Sequence, residues 1–182
     1  KIIKSYQELE PERIHLYPFA GEMLDRIKQK AAGRDLQFLL DGEKDLSLKF
    51  VPSILEEMLE GLLRNAIENT PDEGLIRVGV EQKGQWVQLK VQDFGVGITE
   101  ENQRELFNGL FHTLDTELYT SKKPYDFGAG GKGLNLLRIR TYGQRLGYEI
   151  SLASQRCIHL PTNGDLCPGK ISACPPCQTR AD

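Results

Sequence analysis

Cysteine is missing from the first 156 residues; all four, Cys157, Cys167, Cys174 and Cys177, fall in the last 26. A disulfide framework spreads its cysteines along the chain, and a body of this size has less need of one. The main domain therefore reads as a cytoplasmic one that relies on its hydrophobic core, with a local cysteine-built tail. No apolar run approaches the roughly 18 residues of a membrane span, and no signal-peptide pattern opens the chain. A basic excess is lacking too. With 23 Lys and Arg against 26 Asp and Glu, the formal net charge is −3, which argues against a dedicated nucleic-acid binder. Neither nucleic acid nor a membrane is expected as a partner. Internal repeats and low-complexity segments are absent. The first residue is Lys1 rather than Met, which fits a piece of a longer protein, and 182 residues suffice for one domain with a small appendage.

What is present is glycine, 18 residues, clustered between regular elements. Residues 1–17 carry little pattern and read as a linker or arm. Phe19, Met23, Leu24, Ile27 and Ala31 recur at helical spacing, predicting a helix over about 18–32. Leu36–Leu40 and the alternating Leu46, Leu48 and Phe50 read as strands separated by an Asp41-Gly42 turn. Pro52-Ser53 opens a long helix whose stripe includes Leu55, Leu59, Leu62 and Ala66. Ser53 and Glu56 fit a capping box, and Thr70-Pro71 ends the helix. Ile76, Val78 and Val80, then Val87, Leu89 and Val91, alternate as a hairpin about Lys83-Gly84. A short helix starts at Thr99. Residues 112–132 form a polar stretch long enough to read as a lid. A helix resumes near Gly133, and Tyr148, Ile150 and Leu152 predict a last strand. This order implies an α+β fold, a two-layer α/β sandwich with a mixed sheet and helices on one face.

Three islands carry chemistry. On the long helix Glu57, Gly61, Asn65 and Asn69 are spaced by four and share a face; alone, such a stripe reads as a solvated surface. Asp93-Phe94-Gly95-Val96-Gly97 places an acid at a strand end before two glycines. A carboxylate there can accept from an exocyclic amine, and the glycines let a flat ring approach the backbone; alone, this is equally an ordinary glycine turn. Gly128-Ala129-Gly130-Gly131-Lys132-Gly133-Leu134 opens a helix with stacked glycines, whose N–H groups suit phosphate. A dinucleotide fingerprint is rejected because no apolar strand precedes it. A Walker motif is rejected because Asp126 and Gly133 stand where Gly and Ser/Thr are needed.

Together the islands resemble the ATP-binding domain of sensor histidine kinases, a branch of the ATPase superfamily shared with gyrase and Hsp90. Asn65 through Pro71 is similar to its asparagine box, Asp93 through Ile98 to its first glycine box, Phe107 through Phe111 to its phenylalanine box, and Gly131 through Leu136 to its second glycine box. The resemblance covers about 18–154, leaving 155–182 as the cysteine-rich tail. It implies a Bergerat-type fold with a mobile lid. Asp93 would accept from the adenine amine, Gly95 and Gly97 would let adenine pack, and Asn65 would ligate Mg²⁺. Gly131, Lys132, Gly133 and Leu134 would hold the phosphates, with Lys122 and Lys123 as further lid cations. The cofactors implied are ATP and Mg²⁺. The partners implied are a dimerisation and phosphoacceptor domain of the same kinase and, indirectly, a response regulator.

The departures are specific. Gly61 stands where histidine kinases often carry a second Asn and gyrase-like relatives a Glu base; Glu57 lies a further turn back. Glu68 and Asn69 replace the family's usual basic and aromatic residues. His15, His112 and His159 read as incidental, so the phosphoacceptor histidine is expected on another domain. A related ATPase or serine kinase domain, and a degenerate nucleotide-binding module, are the competing readings.

The tail Cys157-x9-Cys167-Pro-Gly-x4-Cys174-Pro-Pro-Cys177 offers four thiolate ligands on Gly/Pro turns, a pattern suited to tetrahedral Zn²⁺. An iron–sulfur cluster, redox-active thiols, free thiols and disulfides stay open beside it. The tail resembles that of a subgroup of bacterial sensor kinases with a Cys-rich C-terminus.

Overall fold

The computed structural model describes residues 10–108, 124–128 and 146–178, together with Ile139 and Gly143. The elements run β1 (Glu12–His15), α1 (Leu16–Lys30), β2 (Gln37–Gly42), β3 (Ser47–Phe50), α2 (Pro52–Asn69), β4 (Leu75–Lys83), β5 (Trp86–Asp93) and α3 (Glu100–Asn108). A 3₁₀ turn, Ile171–Ala173, and one helical turn, Pro175–Gln178, follow in the tail.

The sheet order β2–β4–β5 is mixed: β2 runs parallel to β4, and β5 antiparallel to it. A parallel neighbour needs a crossover, which the β3–α2 segment supplies. Alternation sets the layers. Ile76, Val78 and Val80 of β4 are fully buried and meet Leu59, Leu63 and Ile67 of α2 in the same core as Met23, Leu24 and Ile27 of α1. Burying each such side chain is worth roughly 1.5–3 kcal/mol. The helices α1 and α2 therefore cover one face, as the pattern of the sequence requires.

Several local expectations are corrected. Residues 12–15, placed by sequence in a patternless arm, form β1, which pairs antiparallel with β3 from Glu12↔Phe50 to His15↔Ser47. That pairing takes the edge that a β2–β3 hairpin would have used. Ser53 is not the cap of α2: Val51 holds that position in extended backbone with no side-chain hydrogen bond, and Pro52 starts the helix, where its missing N–H costs nothing. Thr99 does act at the start of α3, its Oγ1 accepting from the Asn102 N–H at 3.4 Å. The β4–β5 hairpin forms about Lys83↔Trp86.

The strand expected at Tyr148–Leu152 does not form. Its burial still alternates, Tyr148, Ile150 and Leu152 being half-buried and Glu149 and Ser151 exposed. One-sided packing produces period two without a ladder, so alternation could not distinguish the two cases. The helix expected from Gly133 falls mostly outside the described residues; Ile139, Gly143 and Leu146 within it are helical. Among the described residues no helix is long and apolar enough to cross a membrane.

Candidate nucleotide site

The site is built where the C-terminal end of α2 meets the loop leaving β5. Thr70 closes α2 by donating its hydroxyl to the Ala66 carbonyl at 2.7 Å. One residue earlier, the Asn69 amide donates to the Asn65 carbonyl at 2.7 Å and to Asn65 Oδ1 at 3.4 Å. The Asn69 carbonyl accepts the Val96 N–H at 3.1 Å. A backbone bond thus joins the asparagine island directly to the first glycine island.

Asp93 ends β5, paired with Ile76, and its Oδ1 accepts the Gly95 N–H at 3.1 Å. The residue is exposed at the surface, yet packing around the carboxyl pushes its pKa above the ordinary aspartate value, against the Gly95 N–H, which pulls it down. The carboxylate is reached by solvent and can still accept a hydrogen bond from a donor that approaches it.

Both glycines are required by close packing. A Cβ on Gly95 would collide with the Asn69 carbonyl, and one on Gly97 with the Gln155 carbonyl. Gly97 also has φ +68°, which a side chain disfavours. The space on the Cβ side of each is filled by backbone of α2 or of the tail.

The tail clamps the glycine loop. The Cys157 N–H donates to the Val96 carbonyl at 2.9 Å, the Ile98 N–H to Ser154 Oγ at 2.9 Å, and Arg156 Nη1 to the Gly97 carbonyl at 3.1 Å. Gln103 of α3 bonds the Ile98 and Ser154 carbonyls at 2.8 and 2.9 Å. Farther along, the Asp72 N–H donates to the Gly169 carbonyl at 2.9 Å, and Ser172 Oγ to Glu73 at 2.9 Å. Residues 155–178 are thus packed on the body, not hung from it.

Asn65, Asp93, Gly95 and Gly97 are brought together. Gly131, Lys132, Gly133 and Leu134 lie outside the described residues, as do Phe111, His112, Lys122 and Lys123. Phe107 falls on α3. Gly61 is buried and Glu57 exposed. His15 stands at the start of α1.

The four cysteines are half-buried and carry no disulfide. The Cys177 thiol is pushed up to about 11 by burial and by Cys174, with smaller effects from Cys157 and Cys167. Gly169 N–H points at Cys167 Sγ at 3.5 Å. A ready metal centre is nevertheless not formed: among the described residues no three His, Cys, Asp or Glu side chains are grouped to hold an ion.

Sequence reasoning missed Arg34 and Tyr125. Arg34 leaves an irregular turn with no motif around it, and its partners lie 33 to 91 residues away. Glu68 was visible as a departure, and its place explains it. It is 3% exposed, Arg64 Nε stands 3.9 Å from its carboxylate, and burial raises its pKa while Arg64 lowers it.

Residues 51–164 match the family model described as histidine kinase-, DNA gyrase B- and HSP90-like ATPase. The chain is 34% identical over 147 residues to an adaptive-response sensory kinase SasA of Synechococcus sp. (strain CC9311), covering 80% of this chain and 36% of that kinase. To the SasA of Gloeothece citriformis (strain PCC 7424) it is 29% identical over 163 residues, covering 87% and 39%. The chain thus spans well under half the length of these relatives. Among solved structures, the nucleotide-free catalytic domain of the histidine kinase ThkA superposes with a TM-score of 0.59 at 23% identity, over 75% of this chain and 82% of that one, a likeness of fold.

Proposed function

Since the chain belongs to the histidine kinase-, DNA gyrase B- and HSP90-like ATPase family, we propose that it is the ATP-binding catalytic domain of a two-component sensor histidine kinase. It would transfer the γ-phosphoryl group of ATP to a histidine on a separate dimerisation domain, from which a response regulator is served. The observation that carries this reading is the join of Asn69 to Val96, which sets the Asn65 face of α2 beside Asp93.

Asp93 accepts from the adenine amine; its place at the end of β5, with Oδ1 turned to the Gly95 N–H of the glycine loop, supports that role. Among the described residues Asn65 Oδ1 meets only the Asn69 amide, at 3.4 Å, so it has lone-pair capacity left for a hard cation. One amide oxygen suits Mg²⁺, which keeps most of its waters and bridges phosphate oxygens. When bound, the ion supplies charge neutralisation at the phosphates. Gly131, Lys132, Gly133 and Leu134 are assigned to the phosphates by their match to the second glycine box. Phosphoryl transfer depends chiefly on positioning and electrostatics. Gly61 offers no carboxylate to activate water, which favours a protein acceptor over hydrolysis and disfavours the gyrase-like ATPase reading.

Calorimetry with a non-hydrolysable ATP analogue, with and without Mg²⁺, tests this. Mg²⁺-dependent binding lost in Asp93→Asn is expected. No binding at millimolar analogue would leave a degenerate signalling module instead.

For the tail, the reading is a Zn²⁺ site assembled on binding. The electrostatic reach of Cys177 to the other three thiols and the Gly169 N–H aimed at Cys167 favour it. One Zn²⁺ per chain by native mass spectrometry, lost in Cys174→Ser, is expected; a metal-free chain after zinc-supplemented purification would reject it.

A further inference from the structure

The glycine loop after Asp93 is held from the tail along its length. The Val96 carbonyl accepts the Cys157 N–H at 2.9 Å, and the Ile98 N–H donates to Ser154 Oγ at 2.9 Å. Between them the Gly97 carbonyl accepts Arg156 Nη1 at 3.1 Å. The Gln155 carbonyl fills the space on the Cβ side of Gly97.

Arg156 is the hub of this clamp. Its Nε donates to the Leu160 carbonyl at 2.6 Å and its Nη2 to the Thr162 carbonyl at 2.9 Å. The chain thus folds back around the guanidinium, the Leu160 N–H closing on the Cys157 carbonyl at 3.0 Å. The same loop reaches the start of α3, where Asn163 Oδ1 accepts from Thr99 Oγ1 at 3.3 Å and from Asn102 Nδ2 at 3.1 Å. One side chain therefore joins the glycine loop to a tail loop that is itself anchored on α3. A planar guanidinium fork can serve separate carbonyls in fixed directions, which the compact ammonium of lysine cannot.

The clamp reaches Asp93 through the loop. The Gly95 N–H donates to Asp93 Oδ1 at 3.1 Å, and Val96, between Gly95 and Gly97, is tied on its N–H side to the Asn69 carbonyl at 3.1 Å. The direction of the Gly95 N–H sets the direction in which Asp93 presents its carboxylate.

We propose that Arg156 is a positioning residue for base recognition: by holding the Gly97 carbonyl it fixes the glycine loop, and with it the aim of Asp93, so that the choice of adenine depends on a residue of the tail. This rests on the nucleotide-site reading above. Adenine offers an exocyclic amine to a carboxylate, whereas hypoxanthine carries a carbonyl oxygen at that position, an acceptor facing an acceptor.

The test measures ADP and inosine diphosphate, each with Mg²⁺, by calorimetry on the whole chain and on its Arg156→Met and Arg156→Lys variants, each checked for folding by its thermal transition. The parent should prefer ADP by at least about tenfold, since a site built to hydrogen-bond an amine rejects the analogue lacking it. Arg156→Met should cut that preference roughly fivefold or more, chiefly by weakening ADP, the scale of one hydrogen bond to the base. Arg156→Lys keeps the charge without the fork and should lose nearly as much. An equal fall for both ligands, or an unchanged preference in Arg156→Met, overturns the proposal. So does unfolding of both variants, which assigns Arg156 to stability alone. A parent that binds both nucleotides alike also overturns it, while nucleotide binding itself stands. Absence of nucleotide binding by the parent is a separate outcome: it overturns the function reading, and this proposal with it.

Discussion

The Asn69 side chain donates to both the backbone and the side-chain oxygen of Asn65. The bond to the carbonyl fixes Asn69, and Asn69 in turn limits the rotation of the Asn65 amide. Removing it in Asn69→Ala should weaken Mg²⁺-dependent analogue binding roughly three- to tenfold, in line with the ~1 kcal/mol of an ordinary hydrogen bond. Binding without Mg²⁺ should change little. A parallel fall in both would mean that Asn69 acts on the nucleotide directly.

Asp93→Asn should abolish measurable analogue binding, because the amide presents one acceptor where the carboxylate presents two and its charge is gone. The raised pKa of Asp93 also gives a direction in pH. Analogue affinity should fall on acidification through a pKa above the ordinary aspartate value of 3.8. A titration flat from pH 7 to pH 4 would remove Asp93 from the binding contacts.

Gly95→Ala should destabilise the fold by roughly 1–3 kcal/mol, the usual cost of forcing atoms into filled space. Here the obstacle is the Asn69 carbonyl, so the last turn of α2 must shift. Urea unfolding would read this, and a variant as stable as the parent would contradict the close approach of loop and helix.

Glu68 gives a stability signature of opposite sign to most carboxylates. Burial raises its folded pKa above 4.5, so between that value and the raised one the native state holds more proton than the unfolded chain. Stability should therefore fall as pH rises through that window, and Glu68→Gln should be less sensitive there. Unfolding curves taken every half pH unit would check it; parent and variant running parallel would count against the assignment.

The body of the fold was legible because its signals are local. The stripe of Leu55, Leu59 and Ala66 fixes the buried side of α2, and Ile76, Val78 and Val80 fix the buried face of β4; the structure buries all six. Asn65, Asp93, Gly95 and Gly97 were legible as motifs, and they meet. What could not be read is whatever depends on a partner distant in sequence. The β1 strand exists through β3, and Arg34 matters through Tyr125, 91 residues on. The close packing of Gly95 and Gly97 was hidden for the same cause: their neighbours are the carbonyls of Asn69 and Gln155, which no local pattern announces.

The contact of Ser172 with Glu73 spans 99 residues, and Lys170 pairs with the same glutamate at 3.2 Å. Long-range closures of this kind are slow because their chain entropy is lost before any contact compensates it. The β2–β4–β5 sheet and α2 can assemble while the tail is still being synthesised, whereas the turn at Asp72–Glu73 has to wait for residues 169–172. A nascent chain would pass through a state in which the core is formed but the glycine loop is unbraced. Nucleotide competence should accordingly arrive last in folding, after the hydrophobic core has become protected from exchange.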